Sequence, residues 1–141
     1  MGSNDYILEV NNITKDFPGV RALDNVDFKV RRGEIHCLVG ENGAGKSTLV
    51  NVISGVFPRG DYEGVVVFKG KETHYRSTKD SESDGLSIIH QELTLSPYLS
   101  IYENIFLGNM KTRFGVIDWD ACLRDSYPLL KRVGLSEPPQ T

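Results

Sequence analysis

A glycine-rich stretch followed by a lysine and two hydroxyl residues, GENGAGKST at residues 40–48, holds the residue types that bind phosphate groups. It fits the pattern G-x-x-x-x-G-K-[ST], in which glycines let backbone N–H groups approach an anion without interference from side chains. Lys46 supplies a cation for the β- and γ-phosphates, and the hydroxyl of Ser47 is placed to hold Mg²⁺. Thr48 is predicted to make a second phosphate contact. The stretch therefore predicts a site for a nucleoside triphosphate.

The residues on either side of this stretch are predicted to position it. Residues 34–39 before it are mostly apolar and predict a short buried strand. Residues 47–54 after it carry apolar residues at helical spacing and end before Gly55, a typical helix stop. Because a helix N-terminus presents free N–H groups and the positive end of the helix dipole, a strand, a glycine-rich turn and a helix together form an anion site. This context favours phosphate binding over a turn that binds nothing.

The segments around this unit predict an α/β fold. Residues 6–10 alternate weakly and predict an edge strand, residues 26–30 alternate cleanly and predict a second strand, and residues 16–19 form the turn region between them. Residues 86–90 predict another buried strand that runs directly into Gln91. We therefore expect a phosphate-loop NTPase core of the RecA-like type, preceded by an antiparallel β layer and incomplete within these residues.

Three helix starts are marked by capping residues. Ser77 and Ser100 each begin an S-x-x-D/E capping box, and Asp118 is predicted to cap a helix that runs to residue 133. Pro128 falls inside that last helix and is predicted to kink or split it, because proline removes one backbone hydrogen bond.

Composition sets limits on the class of protein. The chain has 141 residues, of which 39% are apolar, which suits one domain at most. The net charge of −3 and the lack of a basic block argue against a nucleic-acid partner.

No apolar run is long enough for a membrane span and no signal segment is recognisable, so we expect the chain to stay in the cytoplasm. Cys37 and Cys122 are expected to be reduced thiols that pack in the interior.

Three stretches together resemble the first part of an ABC-transporter ATPase domain: GENGAGKST, the upstream ITKDFPGVRALDNVDFKVRRGEIHCLVG and the downstream LSIIHQELTLSPYLSIYENIFLG. Within that superfamily the chain is most similar to bacterial monosaccharide importers of the ribose, galactose and xylose type, whose ATPase subunit fuses two such domains. The resemblance implies a nucleotide-binding domain at residues 5–135 and a linker at residues 136–141.

The resemblance also implies cofactors, partners and a location. ATP and Mg²⁺ are expected to bind together. The expected protein partners are the permease subunits of a sugar importer, a second nucleotide-binding domain and, indirectly, a sugar-binding protein, with no nucleic acid. The expected location is the cytoplasmic side of the cell membrane.

The resemblance assigns roles to single residues. For Phe17, the residues alone leave base stacking and core packing open. By the resemblance, Phe17 takes the position of the aromatic residue that stacks on adenine. Gln91 takes the position of a glutamine that contacts Mg²⁺ and the attacking water, with a solvated strand end as the alternative that the residues alone leave open. The implied catalytic residues are Lys46 and Gln91, and the implied metal ligands are Ser47 and Gln91. The implied nucleotide-binding residues are Phe17, Gly40, Glu41, Asn42, Gly43, Ala44, Gly45, Lys46, Ser47 and Thr48.

The sequence also departs from the family pattern. Hydrolysis in the resembled family needs four apolar residues followed by Asp-Glu, an LSGGQ-type signature and a histidine switch, and residues 1–141 contain none of these. The nearest match, residues 115–119, carries Trp119 where the Glu should stand. We therefore expect the full-length protein to hydrolyse ATP and residues 1–141 alone to bind ATP and Mg²⁺ at most. The alternative function is a soluble ABC ATPase that acts on ribosomes or DNA without a permease.

Residues 91–99 are more apolar than a solvated loop requires, with Leu95 and Tyr98 among them. In the resembled family this region receives a cytoplasmic helix of the permease, and an exposed apolar groove suits that role. The alternative is that these residues pack under the helix that Ser100 begins.

Overall fold

The computed structural model describes residues 5–90 and 95–141. The chain divides into two compact units, with the boundary between Ile89 and His90. The first unit contains a four-stranded antiparallel sheet in the order β2-β1-β3-β4 and two helices. Its elements are β1 (Tyr6–Phe17), β2 (Val20–Arg31), α1 (Lys46–Ile53), β3 (Glu63–Phe68), β4 (Lys71–Glu72) and α2 (Thr78–Asp84).

The first strand lies inside the sheet rather than at its edge. β1 pairs with β2 along one side and with β3 along the other. The edge-strand prediction for residues 6–10 is therefore wrong. The cause is that β3 comes from much later in the chain, so a second neighbour for β1 could not be recognised from local alternation.

An irregularity in β1 explains why its alternation looked weak. Val10 and Ile13 are both 0% exposed although they are an odd number of residues apart. A register shift between them, with Asn12 at φ 53°, returns the chain to the buried face. The backbone N–H of Asn12 is satisfied outside the ladder, since it donates to Asp27 Oδ1 at 2.8 Å. β1 therefore extends well beyond the predicted residues 6–10, and the bulge hides its alternation of buried and exposed residues.

The core of the first unit forms where α1 packs against the sheet. Leu49, Val52 and Ile53 are buried on the inner face of α1, as their helical spacing predicts. The predicted helix and its stop before Gly55, which has φ 77°, are confirmed. The buried cluster consists of Val10, Ile13, Leu23, Leu49, Val52, Ile53, Tyr62 and Val66.

Residues 34–39, predicted as a buried strand, are unpaired and exposed. Ile35 and Val39 are 95% and 89% exposed, and Cys37 is exposed rather than packed. A strand obtains its backbone hydrogen bonds from a neighbouring strand. None of the strands that the structure describes pairs with this segment. The prediction is wrong here because an apolar segment is able to form a strand, but its composition does not provide a neighbouring strand with which it can pair.

Residues 86–90, the other predicted buried strand, differ in the same way. The segment is irregular, and Ile89 is 89% exposed. Leu86 and Ile88 are half-buried and line an apolar groove of about 390 Å³ with residues of β1, β2 and α1. Leu86 and Ile88 thus pack in part, but the backbone of the segment forms no ladder with a described strand, and the prediction of a buried strand is wrong.

The second unit contains α3 (Ile101–Phe106), a small hairpin of β5 (Thr112–Arg113) and β6 (Val116–Ile117), and α4 (Trp119–Arg132). The predicted capping boxes are both present, at Ser77 before α2 and at Ser100 before α3. Asp118 caps α4 as predicted, since its carboxylate accepts from the N–H of Ala121 at 2.9 Å. Cys122 is buried in α4, as expected.

The second unit differs from the sequence-based prediction at Pro128. α4 runs unbroken through Pro128, so the predicted split does not occur. Residues 136–141 return to the start of α3, where the carbonyl of Pro139 accepts from the N–H of Tyr102 at 3.0 Å. The segment is packed against a helix, and its role as a linker stays a prediction. Within the described ranges, no helix is long and apolar enough to cross a membrane.

Candidate functional site

The glycine-rich loop ends where α1 begins, and the geometry of that junction leaves helix N–H groups available. Gly45 is the N-cap of α1 and has φ 85°, and Gly43 has φ 87°. Because Gly45 has no side chain, no side-chain cap satisfies the first N–H groups of the helix. The first turn also carries no acidic residue. This end of α1 is therefore polarised to bind an anion.

The position of Gly45 admits no larger residue. A Cβ built on Gly45 would lie 2.6 Å from the carbonyl oxygen of Ala22 and 2.9 Å from Cδ2 of Leu23. The loop therefore contacts β2 directly at the point where α1 starts. Gly43 shares the left-handed conformation, but a Cβ there would meet nothing within 4 Å. The two glycines are required for different reasons: close approach and conformation at Gly45, conformation alone at Gly43.

The ammonium of Lys46 lies across the loop that precedes it. Nζ of Lys46 donates to the carbonyl oxygens of Gly40 and Glu41, each at 2.6 Å. A turn supports this arrangement, since the N–H of Ala44 donates to the carbonyl of Glu41 at 3.2 Å. The only partners that the ammonium has among the described residues are thus neutral carbonyls. A phosphate oxygen would make a stronger, charge-assisted bond with the same nitrogen.

The hydroxyl residues that follow Lys46 sit in the first turn of α1. Ser47 is exposed and Thr48 is half-buried, so a ligand at the loop can reach the hydroxyl of Ser47. Among the described residues, no group of three or more His, Cys, Asp or Glu side chains could hold a metal ion by itself. A hard cation such as Mg²⁺ accepts hydroxyl and phosphate oxygens together. Ser47 fits one such ligand, whereas Gln91, the other implied ligand, lies outside the described residues.

Phe17 lies at the end of β1, next to the turn of the β1–β2 hairpin, and is 39% exposed. Its ring meets the ring of Phe57 edge to face, with centroids 5.6 Å apart and planes at 68°. Phe17 pairs with Val20 of β2. Ala22, whose carbonyl lies next to Gly45 of the loop, follows Val20 about 7 Å farther along the same strand. The structure therefore brings Phe17 and the loop to the same end of one hairpin, with part of the ring still accessible.

Two residues near Phe17 were missed from the sequence. Lys15 is 8% exposed, and its Nζ lies 5.1 Å from the ring centroid of Phe17 and 4.9 Å from that of Phe57. The same nitrogen donates to the carbonyl of Asp61 at 2.7 Å. The spacing of Lys15 and Phe17 by two places on a strand could have shown that they share a face. Phe57 comes after α1, and no local signal connects it with the hairpin.

Glu34 holds the turn that leads from β2 toward the loop. Its carboxylate accepts from the N–H of Arg31 at 2.7 Å and lies 3.0 Å from Nδ1 of His36. The backbone hydrogen bond from Arg31, followed by the contact with His36, lowers the pKa of Glu34 from its ordinary value. This turn is the last hydrogen-bonded feature before the exposed residues 35–39.

The second unit carries an apolar groove of about 570 Å³ between the chain that precedes α3 and the C-terminal half of α4. The side chain of Asn104 fixes the preceding chain, because it accepts from the N–H of Ser96 at 2.8 Å and donates to the carbonyl of Leu99 at 2.9 Å. Leu95 and Tyr98 nevertheless remain 71% and 95% exposed. The backbone of this segment is thus bonded to α3, Leu99 is half-buried, and Leu95 and Tyr98 are exposed. That the segment receives a permease helix stays a prediction.

The comparisons with known proteins agree on one family. The family model described as ABC transporter matches residues 23–141. The L-arabinose transport ATP-binding protein AraG of Geobacillus stearothermophilus is 58% identical over 138 residues, which are 98% of this chain and 27% of that protein. The xylose import ATP-binding protein XylG of Thermoanaerobacter pseudethanolicus is 54% identical over 138 residues, with the same coverage of 98% and 27%. The chain thus spans about a quarter of the length of these curated relatives.

Solved structures agree with this match at the level of the fold. A nucleotide-free ATP-binding cassette from an ABC transporter superposes with a TM-score of 0.76 and 26% identity, over 96% of this chain and 56% of that chain. The ADP conformation of MJ1267, also an ATP-binding cassette of an ABC transporter, gives a TM-score of 0.70 with the same identity of 26% and the same coverage of 96% and 56%. The predicted fold class, a phosphate-loop core preceded by an antiparallel β layer, is confirmed.

Proposed function

Because this chain belongs to the ABC transporter family, we propose that it is the ATP-binding segment of an ATPase subunit that powers the import of a monosaccharide. The observation that carries the proposal is the junction of the glycine-rich loop with α1. There the N-cap is a glycine, and the first N–H groups of the helix have no side-chain cap. The ammonium of Lys46 lies across the loop at the same end of the helix. These groups are suited to the polyphosphate of a nucleotide, and the family binds ATP.

Each residue of the loop has a role in this proposal. The N–H groups of residues 40–48 and of the first turn of α1 bind phosphate oxygens. Lys46 exchanges the carbonyls of Gly40 and Glu41 for the β- and γ-phosphates, and Ser47 supplies a hydroxyl ligand for the Mg²⁺ that accompanies ATP. Thr48 adds a phosphate contact, and the accessible part of Phe17 stacks on adenine. Gln91, by the family resemblance, contacts Mg²⁺ and the attacking water.

The cargo and partners of this proposal come from the relatives. The two relatives described above are named for the transport of L-arabinose and the import of xylose. Both are five-carbon sugars, which favours a pentose as the cargo. The proposed partners are membrane permease subunits, a second nucleotide-binding domain and, indirectly, a sugar-binding protein, with the chain on the cytoplasmic side of the membrane. The groove that Leu95 lines is proposed to receive a cytoplasmic helix of the permease, since Leu95 and the adjacent Tyr98 are exposed apolar side chains.

The experiment reconstitutes the full-length protein with its permease in vesicles and measures both ATP hydrolysis and sugar uptake. Lys46→Ala is expected to reduce both by about a hundredfold or more, because a preorganised charge on the transferred phosphate is removed. Lys71→Ala, which changes an exposed lysine of β4, is the matched control and is expected to leave both unchanged. Unchanged hydrolysis in the Lys46 variant would exclude the motor function.

The same vesicles test the permease contact. Replacing Leu95 and Tyr98 by Asn is expected to abolish sugar uptake while basal hydrolysis persists. Phe114→Asn is the matched control, because Phe114 is also 95% exposed and lies in the same unit, outside the groove. Loss of hydrolysis and uptake together, with a lower melting temperature, would show that the groove is interior. Co-purification with ribosomes or DNA instead of membranes would favour the permease-free alternative.

A further inference from the structure

Lys15 is a buried lysine that forms no salt bridge with a carboxylate among the described residues, and it has no role in the proposed function so far. Its side chain is 8% exposed. Lysine is almost never fully buried without a partner for its charge, because desolvating an ammonium is costly. Here the charge is compensated by three neutral groups: the carbonyl of Asp61 at 2.7 Å and the faces of two aromatic rings. This arrangement places the ammonium at one defined point.

The two rings belong to Phe17 and Phe57, whose centroids lie 5.1 Å and 4.9 Å from Nζ of Lys15. A cation within about 6 Å of a ring centroid is attracted by the electron-rich face of that ring. The rings also touch each other edge to face, at 5.6 Å. Lys15 therefore joins the hairpin turn, which carries Phe17, to the chain that follows α1, which carries Phe57. The three side chains form a cluster that restrains the ring of Phe17.

We propose that Lys15 is a positioning residue for the nucleotide base, because its ammonium holds Phe17 and Phe57 in the orientation in which the accessible part of Phe17 receives adenine. The proposal rests on the proposed function, in which Phe17 stacks on the base of ATP. Lys15 itself is too buried to contact the nucleotide. A positive charge against one face of a ring also draws π density toward it, which reduces the repulsion between that ring and a base stacked on its other face.

The test separates the base from the phosphates. In the purified full-length protein, the dissociation constants of ATP and of inorganic triphosphate, which can occupy only the phosphate loop, are measured for each variant. Lys15→Met keeps the length of the side chain and removes its charge. It is expected to weaken ATP binding by about three- to tenfold, as the loss of a cation–π contact implies, and to leave triphosphate binding unchanged. Lys15→Arg, which retains the charge, is expected to restore ATP binding.

Lys29→Met is the matched control, because Lys29 also lies over an aromatic ring, that of Tyr6 at 5.3 Å, but pairs with Glu9 at the far end of the same hairpin. It is expected to change neither constant. Wild-type ATP affinity in the Lys15→Met variant would overturn the proposal. An equal loss of ATP and triphosphate affinity would also overturn it, because it would show a general structural role.

Two further outcomes keep the test decisive. If Lys15→Met does not fold, Phe57→Leu decides, since it removes one ring of the cluster and keeps apolar packing. It is expected to show the same selective loss of ATP affinity, and its failure to do so would overturn the proposal. If the unmodified protein binds neither ATP nor triphosphate, the proposed function fails, and that result is distinct from failure of the role of Lys15.

Discussion

The two flanks of the phosphate loop are built in opposite ways. On the C-terminal side, α1 is fully formed, and Leu49 and Val52 are 3% and 1% exposed. On the N-terminal side, residues 35–39 have no regular structure, and Val39 is 89% exposed. Both flanks are apolar, and the sequence predicts a regular, buried element for each. Apolar content alone does not explain why only one of them is formed.

The difference follows from where each element finds its hydrogen bonds. A helix pairs its N–H and carbonyl groups within itself, so α1 needs only a surface on which to bury one face. A strand must find its partners on another segment of chain, and none of the described strands pairs with residues 34–39. The loop is therefore anchored through α1 and through the contact of Gly45 with β2. The turn at Glu34 closes the end of β2, and the irregular residues 35–39 separate it from the loop.

The largest expected effect compares one apolar residue from each flank in the 141-residue chain. Leu49→Ala is expected to lower the free energy of unfolding by about 2–5 kcal/mol, because it leaves a cavity in the core. Val39→Ala is expected to change it by no more than about 0.5 kcal/mol, since the side chain is exposed. Urea denaturation measures both. A large effect at Val39 would break the comparison, because it would mean that residues 34–39 are packed in solution.

A second pair of variants tests how the loop is anchored. Gly45→Ala and Gly43→Ala each place a side chain in the left-handed conformation, at a cost of about 1–2 kcal/mol. Gly45→Ala must also displace the backbone of Ala22, which adds about 1–3 kcal/mol. We therefore expect a larger drop in melting temperature for Gly45→Ala, together with weaker nucleotide binding. Equal melting temperatures for the two variants would refute the contact between the loop and β2.

The smallest expected effect concerns pH and the turn at Glu34. Since folding lowers the pKa of this carboxyl, its contribution is present above the pKa of the unfolded chain and is lost as the pH falls through the folded value. NMR titration should therefore show Glu34 ionising below its ordinary value, with the amide of Arg31 shifting at the same pH. Glu34→Gln should abolish the shift of the Arg31 amide. A titration at the ordinary value would mean that the turn is open.

Elements that depend on neighbours in the sequence were predicted well. The start of α1 after Gly45, its buried face, and the capping boxes at Ser77 and Ser100 all depend on residues within about one helical turn. The prediction that Pro128 splits α4 was wrong, because the helix continues through that residue despite one lost backbone hydrogen bond. The alternative, a kink at Pro128, stays a prediction.

Residue types at fixed spacing were enough to predict the glycine-rich loop, the helix that follows it and the family. Three other features became visible only in the folded chain: β1 lies inside its sheet, Lys15 is buried against Phe17 and Phe57, and residues 34–39 are unpaired. Each of these outcomes depends on segments far apart in the chain. Local patterns give the capacity of a segment to pair or pack, whereas the partner is chosen only when the chain folds.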